Sequence, residues 1–491
     1  MPSPAGPAAG ASVPLAPIVR GASSRNVGGS MPVSDLEEQL NQQGRSAKVE
    51  EVAKEIERLG VKYLYFHIVS ITGRVLGKVV PAAHFRRIAE DGTRMHPAAI
   101  ADVSATRAGR LIGADPDSAE MVVMPDLTSF RVLPWDPEYG RFFCFAYESS
   151  LSDRPGAALE QDPRGNLKRQ VETFQRDLGL EPMSGCEPEM SWFRPGDETG
   201  GLKVDAWAPG YHIGHLEEMR EVVKRVMGYA QAMGLDMIQG DYEDFAQLEL
   251  NFAFGNFFDT ADRLTTYRQV CAQVARETGF IASFMPKPIA GRWANGCHHN
   301  LSLWRDGKNA FADEAKKGIH LNELGKQALA GLLEHDRGMT AVLASTANSY
   351  ARLWDVGAFA PSTSSWGYDN KTCSVRVTGG PRLEHKTADA SVNPYLSHAV
   401  ILHAMRDGIE RKLDPGAPQQ VNVYEGTDGE ARLLPKTLAD ALDLLSQDKV
   451  VREALPGKLY EIFDACKRNE WELMMAAVTD WHREMYLNAI P

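Results

Sequence analysis

Three short segments constrain this chain more than any other feature: SGCEPEMSWF, LELNFAF and CHHNLSLW, each alternating residue character with a period of two. In an extended strand, residues two apart face the same side. Glu187 and Glu189 therefore point into one space, and Glu249 sits in an apolar run between Leu248 and Leu250. His298, Asn300 and Ser302 share one face of the third segment, while His299, Leu301 and Leu303 share the other. Paired carboxylates repel unless cations lie between them, and a glutamate inside an apolar strand is costly without one. Read singly, the Glu-Pro-Glu pair is a solvated strand face and His298 a hydrogen-bonded core histidine. Pro188 offers no ladder donor, so its strand is expected to be locally an edge or bulged. Read together, the segments predict an α+β chain with a curved antiparallel sheet whose polar face carries the chemistry.

The rest of the chain divides around that sheet. Residues 1–34 open with MPSPAGPAAGASVPLAPIVRGASSRNVGGS, which has almost no large apolar side chains. Such a stretch cannot offset the entropy of ordering, so a disordered leader is expected there. Residues 35–150 read as a β-rich domain. It has a helix over Asp35–Leu59, a strand at 61–69, a hairpin through ITGR into VLGKVVP, and strands at 120–126 and 141–148. A Pro/Gly/Asp-rich linker around Asp153–Gly165 leads into the helix LKRQVETFQRDLG, stopped by Gly179. Residues 151–491 are expected to form a larger C-terminal domain whose last third is helical.

Bulk properties exclude several functions. With 53 Lys+Arg against 65 Asp+Glu, the net charge of −12 opposes nucleic acid and an anionic membrane surface as partners. No apolar run approaches the ~20 residues of a membrane helix. Six cysteines without a CxxC pair predict reduced thiols and a cytoplasmic location. Neither a Walker A pattern nor GxGxxG is present.

Glu243, in DYEDFAQLELNF, and Glu384, in PRLEHK, extend the acidic set. Five carboxylates with His298 make an oxygen-dominated donor set suited to two hard cations, Mg²⁺ or Mn²⁺ rather than Zn²⁺. Arg352, Lys371, Arg376, Arg382 and Lys386 lie within thirty-five residues. Cations beside divalent metals are what transfer of a phosphoryl group requires.

The order of motifs resembles the glutamine synthetase family: GCEPEMSWF, DYEDFAQLELNF, MPKP with NGCHHNLSLW, NSYARL, then RLEHK with NPYL. The resemblance runs from about Val61 to the C-terminus. It implies a small β-grasp-like N-terminal domain and a large catalytic domain with a curved antiparallel sheet and helices. It places Glu189, Glu243 and Glu249 around one metal, and Glu187, His298 and Glu384 around the other. Asn300, Ser302, Lys371, Arg376 and Arg382 fall to ATP, with Asn300 and Lys371 standing where the family has histidine and arginine. Asn295, Gly296, Arg352 and Lys386 fall to glutamate, and Lys386 replaces an arginine and its bidentate fork. The implied reaction has two steps. ATP phosphorylates the γ-carboxylate of L-glutamate, and a nitrogen nucleophile then attacks the acyl phosphate, with Arg352, Glu243 and Lys386 at the reacting groups. Self-association into stacked rings, a decamer or dodecamer, is also implied.

The nucleophile turns on RLWDVGAFAP, Arg352 to Pro361. Ammonia-using members of the family close a flap ending Gly-aromatic-Glu-Ala-Pro, and here Gly357, Ala358, Phe359, Ala360 and Pro361 correspond, with no glutamate. Their Asp-Gly-Ser-Ser ammonium loop is also missing from HPAAIADVSATR, where Asp102 and Ser104 are the nearest remnants. Ammonium must be held as a cation and then deprotonated, so lost carboxylates penalise it. An apolar flap with Trp354 and Phe359 as the amine pocket favours an apolar primary amine, either aromatic, such as aniline, or a short alkylamine. A charged alkylamine would need Glu243 or Asp244 as base. Glutamine synthetase proper is the alternative. A non-catalytic relative is opposed by the survival of all six metal-ligand positions.

Overall fold

The structure is a computed structural model that describes residues 33–196, 210–244, 246–316, 318–355, 359–427 and 432–488. Of the expected leader only Val33 and Ser34 are described; the rest lies outside. Ser34 and Glu37 cap the helix Asp35–Leu40 reciprocally. The single helix expected over Asp35–Leu59 is two, because Gly44 at φ +83° interrupts it before Arg45–Arg58.

β1 (Tyr63–Val69) and β2 (Val75–Pro81) form an antiparallel hairpin across ITGR. β3 (Thr93–Met95), β4 (Met121–Pro125), β5 (Arg131–Leu133) and β6 (Asp136–Tyr147) complete a six-stranded sheet. Its order is β2–β1–β6–β4–β3 with β5 on β6, and β1 runs parallel to β6. Phe66, Phe85, Phe142 and Met121 fill a core that belongs to this sheet.

The larger sheet contains β7 (Glu181–Phe193), β8 (Met237–Tyr242), β9 (Gln247–Phe252), β10 (Gly255–Asn256), β11 (Ile281–Ser283), β12 (Cys297–Arg305) and β13 (Lys308–Asn309). After β14 (Thr363–Ser364), which pairs elsewhere, come β15 (Trp366–Tyr368), β16 (Val375–Val377) and β17 (Leu383–His385). The ten strands run β15–β16–β17–β12–β7–β9–β8, with β10 and β11 on β7 and β13 on β12. All pairings are antiparallel except β15 with β16. The apolar face of each alternating segment is buried against the helices Phe257–Thr278, Glu323–Leu343 and Pro394–Arg411. Burying side chains such as Leu248, Leu250, Leu301 and Leu303 is worth roughly 1.5–3 kcal/mol each. This burial forces the polar residues between them to the opposite face.

Pro188 sits as expected at a local edge, although β7 as a whole is an interior strand of the sheet. On the side away from β12, β10 pairs only with Met183 and Ser184, and β9 begins at Glu189. Proline falls in the lapse between them, where no ladder donor is called for. Among the described residues, no helix is long and apolar enough to cross a membrane.

Candidate active site

Sheet register turns distant motifs into neighbours. Glu187 lies opposite His298, Asn300 opposite Glu384, and Glu384 opposite Arg376. In a second row Glu189 faces Glu249, which faces Asp241. His298 Nδ1 is 3.3 Å from Glu187 and 3.5 Å from Glu384, and its Nε2 is 3.8 Å from Glu189. The donor atoms of Glu187, His298 and Glu384 all lie within 4.8 Å of one another. Gly296 makes room beside them. A Cβ there would meet Arg352 Nη2 at 2.9 Å, His298 Nε2 at 3.0 Å and Glu189 Oε1 at 3.2 Å.

The electrostatics report an excess of negative charge. Burial, with Glu189 and Asp241 close by, pushes the Glu243 carboxyl up to about 8. Burial together with Glu187 and Glu189 pushes Glu249 well above the carboxylate range. Glu187 goes the other way: burial opposes its charge, but His298, Asn300 and Arg382 outweigh burial and hold it at about 2. Carboxylates crowded until some must take up protons form a donor set that fits divalent cations. Asp241 was missed in the sequence, although it stands two residues before Glu243 on the same face. Its Oδ1 is buried without a partner.

A cleft of about 360 Å³ opens at the pairing lapse of β7, bounded by Gly185, Glu187, Asn300, Ser302, Gly380 and Arg382. Asn300 donates to Glu187 at 2.8 Å and Asn251 to Glu249 at 2.6 Å. The amide oxygens of both asparagines are buried without partners, as a site awaiting a hydrogen-bond donor requires. The rings of Phe254 and Trp304, 5.6 Å apart, also line the cleft. Asn251 and Trp304 were legible only as positions two residues beyond Glu249 and Ser302, and Phe254 carried no signal in the sequence. Arg376 bonds Glu384 at 3.0 Å and also Asp369, while Arg382 bonds Thr378 O at 3.1 Å.

The opposite end of the site is cationic. Arg352, almost wholly buried, donates to the carbonyls of Thr387 and Lys386 at 3.0 Å each. Lys386 Nζ donates to the carbonyls of Phe359 at 3.0 Å and Lys371 at 2.7 Å. Burial outweighs the attraction of Glu384 and, with Arg352 alongside, brings Lys386 down to about 8. Phe359 is held at φ +54° with 43% of its surface exposed. Its ring meets that of Trp293 edge-on at 5.6 Å, and Lys371 Nζ lies 5.7 Å from the ring centre. Gly357 and Ala358 lie outside the described residues.

Two of the expected site residues are hydrogen-bonded elsewhere. Trp354 donates its indole N–H to Pro435 O at 3.0 Å beneath Lys436, so it packs the base of the flap and Trp293 is the ring that faces Phe359. Asn295 is fully buried, its amide engaged by Ser191, Met285 and Gln247. Its side chain braces the turn beside Gly296, whose N–H donates to Glu189 at 2.6 Å.

Residues 160–486 match the family model described as the glutamine synthetase catalytic domain. The chain belongs to the glutamine synthetase family. That family comprises ATP-dependent carbon–nitrogen ligases that use divalent metals. The chain is 33% identical over 447 residues to a glutamate–methylamine ligase of Methyloversatilis universalis, covering 87% of this chain and 96% of that protein. It is 34% identical over 453 residues to a glutamine synthetase of Thermus thermophilus, covering 89% and 98%. A solved structure titled as a GmaS/ADP complex superposes with a TM-score of 0.81 at 30% identity, over 89% of this chain and 99% of that one. The glutamine synthetase-like α+β fold with its curved sheet is thereby shown.

Proposed function

We propose that this enzyme joins the γ-carboxylate of L-glutamate to a primary amine bearing an apolar group, through a γ-glutamyl phosphate and with ATP as phosphoryl donor. The observation that supports the reading is the edge-on Trp293–Phe359 ring pair; by the resemblance, Phe359 falls in the flap where ammonia-using members carry a glutamate. The Trp293 backbone donates to Asp244 at 2.8 Å. Its ring lies beside Gly210, where a Cβ would be 3.0 Å from the Glu243 carbonyl and 3.7 Å from the indole. The aromatic pair thus borders the segment that carries the candidate base. Hydrocarbon on an amine is desolvated between such rings, whereas ammonium gains nothing there. The name of the M. universalis relative supports a short alkylamine among the substrates; aniline is the aromatic candidate.

In this reading Glu187, His298 and Glu384 would hold one Mg²⁺ or Mn²⁺, and Glu189, Glu243 and Glu249 the other. Bound there, the ions would neutralise charge on the transferring phosphoryl group. Lys371, Arg376 and Arg382, with Asn300 and Ser302, hold ATP. Arg352 and Lys386 hold glutamate and its γ-phosphate over Gly296. Lys386 must trade its bond to the Phe359 carbonyl for the phosphate, which couples the flap to the first step. Glu243 or Asp244 takes the proton from an alkylammonium. Closure of the flap excludes water from the acyl phosphate.

The test is glutamate-dependent ATP turnover with ammonium, methylamine, ethylamine, isopropylamine and aniline. Best turnover with ammonium at low concentration would sink the amine reading and favour glutamine synthetase proper. That second reading is supported by Asp102, which survives and accepts from Thr72 at 2.5 Å, and by relatives named glutamine synthetases. Stacked rings, a decamer or dodecamer, complete the reading. Val478, Trp481, Met485, Tyr486 and Leu487 near the C-terminus are each more than half exposed and suit a second copy. A monomer in sedimentation velocity would remove that part. All six cysteines are free and buried, in keeping with a cytoplasmic enzyme.

A further inference from the structure

A second cavity, of about 200 Å³, shares no lining residue with the nucleotide cleft. It lies at the seam between β5–β6 of the small sheet and the helix Phe257–Thr278 behind the large one. Four arginines line it, of which Arg263 is turned to the carbonyls of Ala253 and Phe254, alongside three aspartates. Arg131 and Arg141 sit directly opposite each other on β5 and β6, an arrangement of like charges that weakens a ladder. Arg141 is 4% exposed, with its guanidinium 4.2 Å over the Phe143 ring. Its hydrogen bonds go to neutral groups, Ser129 O at 2.9 Å and Thr266 Oγ1 at 3.0 Å, and its buried Nε has no partner. Arg131 likewise donates only to carbonyls, those of Phe130, Thr128 and Met233.

Two of the three aspartates lining the cavity are already paired, and the third is hydrogen-bonded to an asparagine. Arg164, 1% exposed, takes both Asp126 and Asp262 at 2.7 Å, and Asp262 also accepts from Tyr395 at 2.6 Å. Asp259 accepts from Asn256 at 2.8 Å. Arg164 still keeps a buried Nη1 without a partner. Among the described residues, no ion pair reaches Arg131 or Arg141. Burial brings Arg141 down to about 10 despite Asp262. A buried guanidinium without counter-charge is costly unless something supplies the charge, and its planar fork matches an oxyanion.

We propose that this seam cavity binds a small oxyanion of the phosphate class, held by Arg141 and Arg131 with Arg164 at its side. The volume admits a phosphate-sized ion and is too small for a nucleotide. Because its walls come from both sheets' supporting elements, occupancy ties the small sheet to the catalytic one. The ion is therefore an effector of stability at a distance from the reaction.

Crystals of the full chain grown without phosphate and soaked in selenate test the site directly. An anomalous peak within hydrogen-bond reach of Arg141 is expected; peaks confined to the nucleotide cleft would overturn the proposal. In solution, phosphate at ionic strength matched with chloride should raise Tm by about 2 °C. Arg141→Met should lose that increment while keeping the increment given by ADP with Mg²⁺. Arg131→Met serves the same purpose if Arg141→Met fails to fold. A variant that retains the whole phosphate increment, or a larger shift with succinate than with phosphate, would show the assignment to be wrong.

Discussion

On β12 two consecutive histidines occupy opposite faces of one strand, and everything that distinguishes them comes from what lies across the sheet. His298 faces three carboxylates between 3.3 and 3.8 Å away. His299 is fully buried, with one ring nitrogen on Cys297 O at 2.8 Å and the other on Ser397 Oγ at 2.9 Å. Burial, reinforced by His398, keeps it well below the usual imidazole range and therefore neutral. Its neighbours Cys186 and Cys297 lie within ligand range of it, yet both its nitrogens are already used. The same residue type, one peptide apart, is a candidate metal ligand on one face and a structural hydrogen-bonding group on the other.

The contrast can be broken by substitution. His298→Ala should reduce turnover by about 10²–10³-fold, the scale of losing one electrostatic contact to the reacting group, and should leave Tm nearly unchanged. His299→Ala should do the reverse, costing about 2–4 kcal/mol of stability through a cavity and orphaned polar partners. Denaturant unfolding and steady-state rates read the two separately. Equal losses of both kinds in both variants would mean that the faces are not divided as described.

A second prediction sharpens the polar face. Glu243 and Glu249 have carboxyls raised by burial and by one another's neighbours. In metal-free protein their contribution to stability is full below the ordinary carboxylate range and is lost as pH rises, for Glu243 towards about 8. Melting in EDTA at increasing pH should show this decline, and Mg²⁺ or Mn²⁺ should reverse it. Metal must displace these protons, so apparent affinity should rise roughly tenfold per pH unit per proton released across that range. Calorimetry in buffers of different ionisation enthalpy measures the proton count. A pH-independent affinity would remove the carboxylate cluster from the metal site.

The two tryptophans offer a smaller contrast. Trp293→Ala should raise the KM for the amine about tenfold, the cost of one lost apolar contact, without changing that for glutamate. Trp354→Phe should leave amine KM unchanged and lower Tm slightly through its lost bond to Pro435. Phe359→Glu should move selectivity towards ammonium, and unchanged selectivity would take the flap out of the amine pocket.

Much of this was legible in the chain because alternation is local. Which residues share a face of β7, β9 and β12 follows from the two-residue repeat, so Glu187 with Glu189, and His298 with Asn300, could be paired before any fold was known. Pro188 was legible for the same reason: its missing donor marks a local lapse in pairing, although that the strand is otherwise interior to the sheet could not be read from it. Trp354 and Trp293 were equally unreadable, since each lies beside a motif and only packing decides which ring turns to Phe359. The seam arginines lie in segments with no motif at all.

The sequence by itself determined the kinds of donor and the face each occupies, because backbone geometry dictates both within a few residues. Only the tertiary structure decided that Glu187, His298 and Glu384 meet within one coordination distance, that Asp241 joins Glu243, and that Lys386 reaches the flap. Register, burial and the resulting proton affinities are sums over contacts between residues far apart in the chain.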